Sequence, residues 1–373
     1  MPRAIDDGYI DELRAIATAH GITHTGIAPA SVMHRARGAL LERRDAGLHD
    51  GMAFTYKNPE RSTDPDRAVQ GAQSIFVGAR PYATAEPDGT DQGRITARVA
   101  RYAWTDHYAP LRQGLRAVAR QLRHNGWRAV AFADDNSMVD REAAYLAGLG
   151  WFGKNANVLL TGAGSFFVLG GVITTAPLPV AVAPAADGCG SCRRCLDGCP
   201  TGAIIQPGVV DGSRCLAWLL QKPGIFDRRY RRALGDRIYG CDDCQEVCPP
   251  TVRLGQRFPA SAGSVPESRV DVLDLLDATD QQILDRWGRW YLYDREPRWL
   301  RRNALVVLGN VGRPSADARP DVRLVATLVQ YLAHDDAVLR AHAVWAARSC
   351  GLDHLLPASD DHPDVLAELR APL

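Results

Sequence analysis

The chain has 373 residues, enough for two or three domains with buried cores. Its apolar fraction of 46% and charged fraction of 23% are those of an ordinary soluble protein, and no apolar run approaches the roughly 18–20 residues of a membrane span. A net charge of +1 removes any global electrostatic case for binding nucleic acid or membrane, so such a site would have to be a local patch.

The N-terminal stretch MPRAIDDGYIDELRAIATAHG is acidic and helix-patterned, without the apolar core of a secretory signal. The expectation is a cytoplasmic protein, where thiols stay reduced and clustered cysteines hold metal more often than they form disulfides. Helical periodicity runs through 9–21 and again through 109–126, where Leu111, Leu115, Val118 and Leu122 recur at three- and four-residue steps. Short apolar runs at 73–82, 127–135 and 165–175 follow turns and read as strands. This alternation predicts an α/β domain over 1–185, closed by the proline- and alanine-rich linker 176–188.

Residues 186–255 form a cysteine module, and helical patterning returns over 266–373. There 297–312 and 337–351 resemble one another, Leu300-Arg301 matching Leu339-Arg340 at an offset near the roughly 40-residue HEAT period. The fold class expected is therefore multidomain α/β + α: an α/β domain, a bacterial ferredoxin-like module and C-terminal HEAT-like helices. Two unrelated amphipathic helices are the alternative for the last part.

Eight of the nine cysteines lie between Cys189 and Cys248. Cys189, Cys192, Cys195 and Cys199 follow C-x2-C-x2-C-x3-C before Pro200, the bacterial ferredoxin run in which the fourth thiolate ligates the other cluster. Cys241, Cys244 and Cys248, before Pro249, repeat it without the first cysteine; Ile238 stands in that place and Cys215 restores the count. Crossed ligation then gives two [4Fe–4S] clusters, one on Cys189, Cys192, Cys195 and Cys248, the other on Cys199, Cys215, Cys241 and Cys244. Structural zinc is the competing use of such pairs. Cys350, on a distant helical stretch, reads as a buried thiol. Neither a G-x-G-x-x-G turn nor a P-loop is present, so the terminus of this one-electron wire is not a recognisable nucleotide site.

CGSCRRCLDGCPTGAI, DGSRC and RIYGCDDCQEVCP, preceded by AGLGWFGKN (147–155), NPERSTDP (58–65) and RYAWTDHY (101–108), closely resemble the epoxyqueuosine reductase family over nearly the whole chain. The resemblance implies a cobalamin-dependent enzyme that removes the epoxide oxygen of epoxyqueuosine at the tRNA wobble position, with cobalamin in the N-terminal domain beside the second cluster. The D-x-H-x-x-G signature of a histidine cobalt ligand is absent, as the resemblance implies. It points to Asp134, seven residues before Arg141, as the proton donor, with Asp135 beside it; a carboxyl needs a raised pKa for that task. It makes Lys57, Arg61, Tyr102, His107, Lys154 and Asn155 candidate cobalamin contacts, with Asp242 and Asp243 near the corrin by position. Arg228, Arg229, Arg231 and Arg232, with Arg298, Arg301 and Arg302, are candidate contacts to the anticodon stem-loop of tRNA. A monomer served by an external one-electron donor, with no membrane partner, completes the expectation.

Three stretches depart from the family pattern. The segment around Asp134 reads Ala133-Asp134-Asp135-Asn136-Ser137, an expected acidic position is Gly171, and LAWLLQKPGIF follows Cys215. A reductase of the same architecture acting on a small epoxide or organohalide, or a non-catalytic electron carrier, are the alternatives these leave open.

Overall fold

The computed structural model describes residues 2–54, 56–84, 93–255, 267–313 and 320–372. Packing divides the chain into two compact units rather than along three consecutive segments. The first draws on Met1–Ala85, Thr105–Ser213 and Asp242–Val265, the second on Glu86–Trp104, Arg214–Cys241 and Pro266–Leu373. Pairing of a short strand, Thr96–Val99, is one cause: it lies between Arg237–Tyr239 and Arg269–Asp271, so that part of the expected N-terminal domain and part of the cysteine module belong to the second unit.

The first unit is built on a four-stranded sheet in the order His24–Pro29, Ser74–Pro81, Phe167–Thr174, Ala129–Phe132, with every adjacent pair antiparallel. The three apolar runs read as strands are all here. The two central strands are buried along their whole length, which explains why they read as continuous apolar runs although antiparallel strands more often alternate. Helices Asp7–Thr18 and Tyr108–His124 pack together, the latter against the sheet through Leu115 and its neighbours. A second apolar cluster joins Ile75, Val77, Phe132, Leu169 and Ile173 to Ala143 and Ala144 of the Asp140–Leu146 helix.

AGLGWFGKN forms the first half of a hairpin, Gly150–Phe152 against Val158–Leu160. A Cβ at Gly150 would stand 2.0 Å from the Leu159 carbonyl, and one at Gly153 would stand 2.3 Å from the Leu159 side chain. These glycines thus serve close approach within the hairpin itself.

The second unit is mainly helical. Ala337–Ser349 packs against Arg298–Val311, Val322–Leu332 and Pro363–Arg370, and the first three of these helices share a core containing Leu300, Leu305, Leu328, Leu339 and Trp345. Gly309 lets the indole of Trp345 reach the helix backbone, since a Cβ there would meet the ring at 2.3 Å. Cys350 is buried in this core, which pushes its thiol up to about 11. Among the described residues no helix is long and apolar enough to cross a membrane.

Candidate functional site

Cys189, Cys192, Cys195 and Cys248 line one cavity of about 390 Å³ in the first unit, together with Gly153, Leu159, Pro249 and Pro250. Burial raises the Cys195 thiol, and Cys248, Cys189 and Cys192 raise it further, so four sulfurs from two separated runs converge. Zinc would draw four sulfurs to about 2.3 Å from one point. Here the four thiols line a common cavity.

Of the other four cysteines, Cys199 and Cys244 belong to the first unit, Cys215 and Cys241 to the second. The Cys199 sulfur accepts the Ala203 amide at 3.2 Å. Cys215 is the N-cap of the helix Leu216–Leu219, and Cys241 packs beside the apolar core of its unit. Ile238, in the place of the missing cysteine, has no exposed surface.

The tip of the glycine hairpin holds the cysteine loops. Lys154 Nζ donates to the Gly190 carbonyl at 2.7 Å, and Asn155 Nδ2 donates to the Cys244 carbonyl at 3.2 Å. Both residues line the cysteine cavity. The glycines around them approach the chain's own backbone, and the polar atoms of both candidate cobalamin contacts hold the cysteine loops.

Gln245, next to Cys244, is buried and central to a polar network. Its Oε1 accepts Tyr82 Oη at 3.2 Å and Ser165 Oγ at 2.9 Å, while its Nε2 donates to Asp242. Thr251 joins through Ser165. Tyr82 also approaches the buried ring of His107, whose Nε2 pairs with the Thr105 hydroxyl.

Beyond Tyr82 stands an acidic wall. Asp134 follows the strand Ala129–Phe132 with φ of 54°, a left-handed conformation that aspartate tolerates better than most residues. It is solvent-accessible as a residue, yet the surrounding protein desolvates its carboxyl. That burial, then the like charge of Asp140, outweighs Arg112; Asp135 and Asp106 add to the rise, and the pKa is pushed up to about 6. Burial also raises Asp140, against the opposing pull of Arg141, whose amide it accepts. The Tyr108 phenol is raised well above its ordinary value by burial and then by Asp134 and Asp140. Asp135 is differently employed: its carboxylate accepts the amide and hydroxyl of Ser137 and the amide of Ala133.

Sequence reasoning missed Tyr82, Tyr108, Asp140, Arg112 and Gln245. Only the Gln245 position, inside a cysteine run, carried a local signal. The remaining cofactor candidates are dispersed. Lys57 and Arg61 are exposed, Asp242 is buried against Gln245, Asp243 is half-buried, and Tyr102 belongs to the second unit against Tyr239.

Two arginine expectations are corrected. Arg231 has no exposed surface and pairs with Glu368 at 2.7 Å, also donating to the Phe226 carbonyl. Arg302 is buried and donates to the carbonyls of Leu219, Leu220, Lys222 and Gly224, clamping the segment after Cys215. The Arg298–Val311 helix is buried over most of its residues, Arg302 and Asn303 among them. Arg301 is mostly covered by Asp280 and the Ala278 carbonyl. Arg228 bonds Glu368, and Arg298 bonds Glu296 and Asp336. Arg229, paired with Asp227, and Arg232, over Trp345, remain exposed.

Gly171 is explained by packing. A Cβ there would stand 2.8 Å from the Phe132 ring and 2.9 Å from the Phe76 carbonyl, so phenylalanine occupies the space where the family pattern expects an acid.

Cysteines gathered for iron–sulfur chemistry, beside a wall that keeps a carboxyl protonatable, define an iron–sulfur oxidoreductase. A family model described as a 4Fe-4S double cluster binding domain matches residues 188–251. The epoxyqueuosine reductase of Bacillus anthracis is 31% identical over 89% of this chain and 87% of the relative. A crystal structure of epoxyqueuosine reductase with an epoxyqueuosine-modified tRNA-Tyr stem loop superposes with a TM-score of 0.84 at 26% identity, covering 98% of this chain and 99% of that one. A Bacillus subtilis epoxyqueuosine reductase, its catalytic aspartate loop swung out of the active site, gives 0.84 at 26% identity over 97% of both chains. The chain belongs to the epoxyqueuosine reductase family.

Proposed function

We propose that the chain reduces epoxyqueuosine at the wobble position of tRNA to queuosine, with Asp134 as its proton donor. One observation carries the reading: the carboxyl of Asp134 is desolvated and its pKa pushed up to about 6, so part of it stays protonated near neutral pH, on a wall whose Tyr82 connects through Gln245 to the cysteine loop. Removing an epoxide oxygen as water consumes two electrons and two protons. Two [4Fe–4S] clusters deliver electrons singly. Cys189, Cys192, Cys195 and Cys248 would hold the first, and Cys199, Cys215, Cys241 and Cys244 the second.

Cobalamin fits as the electron terminus because Asp134 neighbours Tyr108, Tyr108 neighbours Tyr82, and Tyr82 borders the Cys244 loop. His107, buried and paired with the Thr105 hydroxyl, lies against Tyr82 and would border the group there. When bound, cobalamin supplies the reductive cleavage chemistry. Asp134 gives its proton to the departing oxygen, a role for which a pKa near the working pH is best. Tyr108 stays protonated and can donate a hydrogen bond to developing negative charge, whereas the Tyr82 proton is held by Gln245.

The tRNA anticodon stem-loop is the macromolecular substrate in this reading, with Arg229 and Arg232 the exposed arginines best able to meet phosphates and Arg228 and Arg298 reaching them by exchange. The packed C-terminal helices are read as HEAT-like. The protein is read as a cytoplasmic monomer served by an external electron donor. The test is anaerobic incubation of the cluster- and cobalamin-loaded protein with an epoxyqueuosine-bearing stem-loop and a chemical reductant, followed by nucleoside mass spectrometry. Queuosine is the expected product; its absence, with turnover of a small epoxide or organohalide instead, overturns the substrate assignment. Failure to bind cobalamin overturns the electron terminus.

A further inference from the structure

The relay has two ends, and the structure distinguishes them. The Cys244 loop leads through Gln245 and Tyr82 to the acidic wall. The cavity of Cys189, Cys192, Cys195 and Cys248 lies at the other end, and Cys192 is exposed. Electrons that leave toward Asp134 must therefore enter at this cavity.

Its surface has a definite character. Lys154, Arg194 and Arg253 line it, and no carboxylate does among the described residues. Arg194 and Arg253 are exposed and have no ion-pair partner there, whereas the adjacent Arg193 is neutralised by Asp197 at 3.0 Å. Asp197 and Glu246 border the neighbouring depression, which Arg194 and Arg253 also line, and not the cysteine cavity. Between the cations lie Pro249 and Pro250, with Val252 beside them 43% exposed. The chain's net charge of +1 makes this a local feature. A small apolar centre with a cationic rim suits a transient partner of opposite charge, for which charge steers encounter and a small contact permits rapid release.

We propose that this face docks a small acidic one-electron carrier protein that reduces the first cluster. The inference rests on the two-cluster reading above. At each encounter one electron leaves the carrier's reduced cofactor and enters the cluster; two encounters supply the pair that oxygen removal consumes.

The test uses the cluster-loaded protein and a reduced bacterial flavodoxin as probe, following bleaching of cluster absorbance by anaerobic stopped flow. The second-order rate is expected to fall at least tenfold between low and high salt. It is expected to fall at least tenfold in Arg194→Glu/Arg253→Glu, while iron content and reduction by dithionite stay unchanged. A rate indifferent to salt in the unmodified protein overturns the proposal, as does an unaltered rate in the double variant. Where the double variant loses iron, Arg253→Glu alone replaces it, with the same criterion. Since the readout needs no tRNA, failure of dithionite-driven queuosine formation would remove the substrate reading and leave this one standing. Normal formation with a charge-indifferent flavodoxin rate would do the reverse.

Discussion

Asp135 accepts both the amide and the hydroxyl of Ser137, and this lock separates the duties of two adjacent carboxylates. Asp135 shapes the loop; Asp134 makes no side-chain hydrogen bond among the described residues and is the one free to give up a proton. Asp134→Asn is expected to lower turnover by about 10²–10⁴-fold, the usual worth of a positioned acid, with cluster absorbance and cobalamin binding intact. Asp135→Asn keeps a carbonyl oxygen for Ser137 and should cost far less. Single-turnover kinetics on an epoxyqueuosine stem-loop measures both, and equal losses would contradict the division of roles.

The same carboxyl sets a pH dependence. With its pKa near 6, the acid form declines as pH rises, so turnover should fall roughly tenfold per unit well above pH 6. Residual turnover of Asp134→Asn should lack that limb. Stability moves the same way. Between about pH 4 and 6 the folded protein holds a proton that the unfolded chain has released, so stability falls as pH rises through this window. Asp134→Asn should therefore melt above the parent at pH 7 and alongside it near pH 4, as thermal scans at the two pH values would show.

Ligand crossing predicts a loss that spacing alone would misplace. Cys248→Ser, though in the second run, should destroy the cluster of Cys189, Cys192 and Cys195, whose cavity it lines. Iron content should fall to about half, and the electron paramagnetic resonance signal that remains should match the one that survives in Cys189→Ser. If it matches the one that survives in Cys241→Ser instead, ligation is not crossed.

The cysteines were legible because their spacing is a local property of the chain, and the strands because two buried faces leave continuous apolar runs. Asp134 was legible only through resemblance, since strand ends commonly carry aspartate. Tyr82, Tyr108 and Asp140 left no mark, because their environment exists only after separate elements pack around them. Arg302 was misread for a related reason. A basic residue on an amphipathic helix is usually solvated, but carbonyls from 219–224 supply the acceptors that let this one be buried.

That burial makes a prediction. Arg302→Ala removes a donor to four carbonyls and leaves them enclosed, so a loss of about 3–5 kcal/mol is expected, as for other broken buried charge networks. Arg229→Ala, 75% exposed at its side chain, should cost less than about 1 kcal/mol. If arginine at 302 instead served tRNA, its removal would spare stability and reduce the salt slope of stem-loop binding by about one. Chemical denaturation and binding at several salt concentrations separate the two.

Position 171 tests whether the departure from the family pattern is a packing exchange. Gly171→Asp places a Cβ against the Phe132 ring and the Phe76 carbonyl, and overpacking of this kind costs about 1–3 kcal/mol before any charge is buried. Phe132→Ala alone should cost about 3–5 kcal/mol through the cavity it leaves. Because the aspartate would enter that cavity, the double variant should be more stable than the two losses added together, by about 1 kcal/mol or more. The rescue should be partial, since the Phe76 carbonyl stays where it is. Denaturation midpoints of the four proteins close the cycle; strict additivity would mean that Phe132 is not what excludes the acid.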